Sequence, residues 1–178
     1  MRNTYLPRLS IQSEVGYMKR RTFIATAAAA SAGFAGPISA QAHELVLDGD
    51  FASGQVVSLD DEALSEFPQR LIETRTIWTS GLQQFSGPSL ADVLEHFGAG
   101  PGDLILGAIN DYSVAVNRSL ITSAAPIIAN RIDGLPFSPR QKGPFWIIFP
   151  YDSSAEFRTE IIYAASVWQL SSITVLKD

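Results

Sequence analysis

Residues 127–152, IIANRIDGLPFSPRQKGPFWIIFPYD, decide how this chain folds. The stretch opens on an apolar run and turns at Asp133-Gly134. It then crosses a polar segment carrying Arg140 and Lys142, and after Gly143-Pro144 it re-enters an apolar run, FWIIF, stopped by Pro150. Continuous short apolar runs bounded by turn residues are the pattern of strands buried on both faces. The reading is therefore two central strands joined by a basic loop. Gly and Pro mark the loop's ends, because they supply or forbid the backbone angles that strands need.

Upstream, the chain has the composition of an export leader. Lys19, Arg20 and Arg21 precede an alanine-rich apolar run at 23–34, followed by Pro37 and Ala40-Gln41-Ala42. A charged segment, a short apolar core and a small-x-small site form a secretory signal. The apolar run is too short and too alanine-rich to span a bilayer. Arg20-Arg21-Thr22-Phe23-Ile24 is also similar to the twin-arginine export signal. The expected organisation is a leader over 1–42, with Met18 a candidate true start, and one domain over 43–178. Cleavage near Ala42 would deliver that domain to the periplasm.

The 43–178 segment holds eight Lys and Arg against seventeen Asp and Glu, a net charge of −9. That balance argues against nucleic acid and anionic lipid as partners, and against membrane insertion of the mature chain. The chain has no cysteine. Disulfides, thiolate metal ligands and a cysteine nucleophile are all excluded.

Along this segment, 43–48 reads as a first, edge strand and 55–59 as a second. Ser58 or Asp60 caps a short helix that ends before Pro68. Residues 70–78 alternate and are rich in Thr and Ile, which suits a strand. Residues 79–87 read as a loop. Ser89 and Asp92 form a capping box for a helix with Leu90, Val93, Leu94 and Phe97 on one face, ended by Gly98. Two strands flank Asn110-Asp111. Short helices are expected within 118–124 and 153–163, and a final strand within 167–176. Many short strands with two or three helices predict a mixed, strand-dominated α+β single domain.

The segments FSGPSLADVL, AINDYSVAV, PIIANRIDGLPFSPRQKGPFWIIFPYD and SVWQLSSITV, in this order, resemble the molybdopterin-binding domain of the sulfite oxidase group. They are most similar to small exported bacterial proteins that carry that domain alone. The resemblance covers most of 70–176 and implies a mixed domain on a largely β-sheet scaffold. It also implies a molybdenum bound by a cysteine a little before the F-x-G-x-x-L segment. The corresponding residues here are Thr74-Arg75-Thr76-Ile77-Trp78-Thr79-Ser80, with no thiolate to ligate the metal. Ser80 is the one substitute ligand in that region. Fold likeness does not carry activity with it.

Seven residues are candidates for ligand binding. Arg131, Arg140 and Lys142 suit phosphate or carboxylate, and the pterin cofactor carries a phosphate. The competing reading pairs them with Asp133, Asp152 or Glu156. Asn110, Asp111 and Tyr112 form either a polar pocket rim or a tight turn, since Asn and Asp tolerate left-handed backbone. Trp78, at a strand-to-loop junction, is the best placed of the tryptophans to line a cavity. Trp146 sits inside FWIIF and reads as core. His96, near a helix C-terminus, is explained by the dipole there. His43 lacks a partner histidine at metal-ligand spacing.

The expectation is thus a non-catalytic relative of the molybdopterin-binding domain. It would take a small anionic or planar ligand, or a periplasmic or membrane protein partner, through Trp78 and the Arg140–Lys142 loop. No cofactor is expected on this reading. The alternative is a periplasmic molybdopterin-dependent oxidoreductase with a non-cysteine metal ligand.

Overall fold

A computed structural model describes residues 43–178, so the expected leader lies outside the described residues. The two apolar runs of the opening stretch are strands β7 (Ile127–Ala129) and β10 (Trp146–Ile148), paired antiparallel with Trp146 opposite Ala129. All six residues are buried. A strand buried on both faces presents side chains to two layers at once, which is why neither run alternates.

Around this pair stand two larger sheets. The first has the order β2-β1-β11-β5-β6, built from β1 (Leu45–Gly49), β2 (Val57–Leu59), β5 (Leu104–Ala108), β6 (Ser113–Val116) and β11 (Leu170–Val175). The strand expected at the edge, β1, lies inside it. It runs parallel to β11 and antiparallel to β2, so the edges fall to β2 and β6. The alternation of buried Leu45 and Leu47 sets which face of β1 meets the core and carries no information on its place in the strand order.

The second sheet has the order β3-β4-β8-β9, from β3 (Gln69–Arg75), β4 (Leu82–Pro88), β8 (Arg131–Ile132) and β9 (Leu135–Pro136). Asp133 and Gly134, both at positive φ, turn β8 into β9. The expected loop at 79–87 is largely strand β4. Its Gln, Ser, Gly and Pro residues are poor strand formers, and tertiary pairing overrides them. Gly87 is required there, since a Cβ would overlap the Ile128 carbonyl oxygen.

Three α-helices cover the sheets: α1 (Asp61–Glu66), α2 (Leu90–His96) and α3 (Glu160–Ala165). Asp60 caps α1 as expected, accepting from the Ala63 N–H at 2.8 Å. The capping box of α2 does not form. The Ser89 side chain is fully buried without a partner, and Asp92 turns instead to Arg70, 3.2 Å away. Residues 118–124 and 153–163 contribute 3₁₀ turns at Arg118–Leu120 and Ala155–Phe157, the latter leading into α3. No described helix is long and apolar enough to cross a membrane.

Arg131 is held by Asp61, seventy residues earlier in the chain. Its Nη1 and Nη2 donate to Asp61 Oδ1 and Oδ2 at 2.6 and 2.8 Å, and Asn130 Nδ2 adds a third bond to Oδ1 at 3.0 Å. The pair fastens α1 to the β7–β8 junction. The hydrogen bond from Arg131 keeps the Asp61 carboxyl below its ordinary pKa, against a smaller opposing effect of burial. A depressed folded-state pKa stabilises above the unfolded value near 4, and that stability is lost as pH falls through the folded value. Both groups are partly exposed, so screening holds the pair to about 1 kcal/mol. Asp61→Asn should cost about 1 kcal/mol at pH 7 in chemical denaturation and flatten the stability loss that begins near pH 5. An unchanged acid limb would remove this pair from the ledger.

Candidate functional site

Two cavities share the end of the domain where β3, the β5–β6 turn, the basic loop and the segment after α3 meet. The first, of about 260 Å³, is lined by Trp78, Tyr112, Tyr163 and Trp168, with Asn110, Ser166 and the small residues between them. The second, of about 480 Å³ and more open, is lined by Arg140 and Lys142 together with Thr79, Gln83, Asp133 and residues 135–137.

Trp78 is positioned from both sides. Before it, Asp152 accepts from the backbone N–H and Nη1 of Arg75 at 3.0 and 3.2 Å, and its own N–H donates to the fully buried Thr74 Oγ1 at 3.0 Å. These bonds tie the end of β3 to the segment after β10. Thr76 Oγ1 then accepts from the Trp78 N–H at 3.1 Å and sits 2.8 Å from Thr79 Oγ1, a local turn that sets the indole. The Trp78 ring meets Trp146, Tyr151, Tyr163 and Trp168 edge to face, with centroids 5.7–6.2 Å apart and interplanar angles of 62–88°. Electrostatics favour this arrangement, since each ring edge is positive and each face negative.

The other walls follow from hydrogen bonds. Tyr112 Oη donates to the Ala164 carbonyl at 3.1 Å, which fastens the β5–β6 turn to α3. Tyr151 Oη donates to Ser166 Oγ at 2.7 Å, Ser166 Oγ donates to the Ile162 carbonyl at 2.7 Å, and the Trp146 indole N–H donates to the Ser166 carbonyl at 3.1 Å. Burial pushes the Tyr151 phenol up to about 12.

Of the seven candidates, the fold brings Trp78, Asn110 and Tyr112 to the aromatic cavity and Arg140 and Lys142 to the basic one. Asp111 occupies the tight turn at φ 64° and lines neither. Arg131 stands apart, engaged by Asp61. Of the competing partners named for the three cations, Asp133 Oδ1 accepts the Gln84 N–H at 3.0 Å, Asp152 holds Arg75, and Glu156 forms no ion pair among the described residues. Arg140 and Lys142 form no ion pair among the described residues. Lys142 Nζ rests 4.8 Å above the centroid of the Trp168 ring, so one indole joins the two cavities.

Tyr163 and Ser166 are wall residues that periodicity did not single out. The usable signal was proximity in sequence to Trp168 in a segment, YAASVW, too apolar for a loop. Gln83 also lines the basic cavity, and its side-chain Oε1 is buried with no partner.

No protein-family model matches the chain, and no curated protein does either. Among solved structures, the fold is similar to that of the sulfane dehydrogenase SoxCD from Paracoccus pantotrophus. The TM-score is 0.55 at 12% identity, over 76% of this chain and 38% of that one. At such identity the likeness is one of fold. The chain spans well under half the length of that solved chain. Donor chemistry decides whether a molybdenum centre would fit. There is no thiolate, no three His, Asp or Glu side chains converge as metal ligands among the described residues, and the exposed Ser80 lines neither cavity. These residues do not fit the metal.

Ser166→Ala should leave the buried Tyr151 hydroxyl unpaired and cost about 1–3 kcal/mol, read as a lower midpoint in denaturant. The wild-type domain should also weaken in alkali. Its raised Tyr151 pKa stabilises below about 10, and that stability is lost as pH rises through about 12. Equal stability of variant and wild type at neutral pH would refute the bonding pattern.

Proposed function

We propose that this chain is a non-catalytic, exported binding module on the scaffold of a molybdopterin-binding domain, and that the Arg140–Lys142 cavity takes the anionic group of a small ligand. The observation that carries the reading is a pair of cations without carboxylate partners, lining one cavity of an otherwise acidic domain. Arg70, Arg75 and Arg131 are each held by an acid; of the five described cations that are not, Arg140 and Lys142 are the two that line this cavity together. Guanidinium and ammonium groups that face a cavity together suit phosphate or carboxylate. The Asp133 carboxylate on the same rim is held by the Gln84 N–H and would select against ligands carrying excess negative charge.

Gln83 lines the same cavity, and its buried, unpartnered Oε1 is an acceptor for a hydrogen-bearing part of the ligand beside the anionic group. Export to the periplasm rests on the basic and alanine-rich leader before residue 43. The fold likeness supports the scaffold, and the lack of a thiolate supports a binding role over oxidoreductase chemistry.

Calorimetric titration with inorganic phosphate and with a phosphorylated pterin tests the site. The Arg140→Ala/Lys142→Ala variant should bind at least about tenfold more weakly while keeping its circular dichroism spectrum, and Arg131→Ala should bind as wild type. Undiminished binding by the double variant would remove these cations from the site. Near-stoichiometric molybdenum and pterin in protein made by a host that assembles the cofactor would instead establish the oxidoreductase alternative.

A further inference from the structure

The aromatic cavity has a chemistry of its own. Trp78, Tyr163 and Trp168 line it, with Trp78 at 88° to Tyr163 and 70° to Trp168, and centroids 5.7 Å apart in both pairs. A slot for a flat ligand needs two near-parallel rings with a gap between them. Tyr163 does have a tilted neighbour in Tyr151, at 39°, but their centroids are 5.8 Å apart and Tyr151 is 2% exposed, so no plane fits between them. Rings set at steep angles make a rounded box instead. Its volume of about 260 Å³ suits a compact head group.

No charged side chain lines the box, and three of its polar atoms are already bonded within the protein. Tyr112 Oη donates to the Ala164 carbonyl, Ser166 Oγ is engaged on both sides, and the Asn110 side-chain oxygen accepts from the Tyr112 N–H at 3.3 Å. The Trp78 and Trp168 indole N–H groups, the Tyr163 hydroxyl and Asn110 Nδ2 form no hydrogen bond among the described residues, so the wall offers π faces with donors confined to the ring edges and the Asn110 amide. A compact cation that cannot accept from those donors suits the ring faces of such a wall. One ring of the box already takes a cation: Lys142 Nζ lies over Trp168, while lining the neighbouring cavity rather than this one. The domain's charge of −9 adds a long-range field that draws cations in.

We propose that the Trp78–Tyr163–Trp168 cavity is a binding site for a methylated ammonium group, separate from the anion site beyond Trp168. Lys142 then acts with opposite sign at the two sites. It attracts the anion on its own side and repels the cation across the indole.

The test is calorimetry of the purified protein with choline and with 3,3-dimethyl-1-butanol, the neutral carbon isostere of choline. Choline should bind one to one and at least about fivefold more tightly than the isostere, because only the cation gains from the ring faces. Trp78→Leu should weaken choline roughly 5- to 30-fold. If that variant fails to fold, Tyr163→Leu serves the same purpose. Lys142→Met should tighten choline while weakening phosphate, a reversal that general loosening of the fold cannot produce. Equal binding of choline and its isostere would reduce the cavity to an apolar hole. Absence of saturable choline binding, or weaker choline binding in Lys142→Met, would also overturn the assignment.

Discussion

The hydroxyl of Ser166 takes the phenol proton of Tyr151 and gives its own to the Ile162 carbonyl, while the Ser166 carbonyl takes the indole proton of Trp146. Large aromatic side chains with a polar atom bring great apolar area into a core, but the polar atom must find a partner there. Ser166 is 1% exposed and serves two of them at once. Its position is set by α3, whose end it forms. The central strand β10, the segment after it and the exit of α3 are therefore locked to one another. Tyr163 and Trp168, on either side of Ser166 in sequence, inherit their places from that lock, and Trp78 packs against both.

On this frame two unlike cavities share one wall. The Trp168 indole separates an aromatic space from a basic one, and Lys142 lies against it. The left-handed backbone of Lys142, at φ 75°, and of Gln169, at φ 52°, brings their peptides together, with the Gln169 N–H donating to the Lys142 carbonyl at 2.9 Å. Non-glycine residues in that region carry a cost that the surrounding structure must offset. The basic loop is thus braced against the segment that carries Trp168, and Gln169 Nε2 adds a bond to the Pro139 carbonyl at 2.8 Å.

The buried strands were legible in the sequence because IIA and FWIIF have no polar position to misplace. The turn at Asn110-Asp111 and the Asp60 cap were legible because their chemistry is local. Strand β4 was not, since LQQFSGP carries its strand character only through pairing with β3 and β8. The capping box at Ser89 failed for a related reason: the residue lies in an isolated bridge to Ile127 and is wholly buried, while Asp92 is drawn to Arg70. Trp78, Arg140 and Lys142 stood out because cations and tryptophans are few. The partner of Arg131 could not, because Asp61 is reached only through the tertiary fold. Tyr163 lies in a helix of six residues and Ser166 caps its end, an element too short for periodicity to reveal a face.

The five-stranded sheet joins the beginning of the described chain to its end. Strand β1 lies between β2 and β11, with Val46 opposite Ser172 and Gly49 opposite Val175. During synthesis, β1 and β2 can do no more than form a marginal hairpin until β11 emerges, because β11 alone connects them to β5 and β6. Pairing across such a separation must close a long loop before it yields any contact, which makes it slow and late. The domain thus remains open through nearly all of its translation, and whichever machinery meets the nascent chain meets it before the sheet has closed.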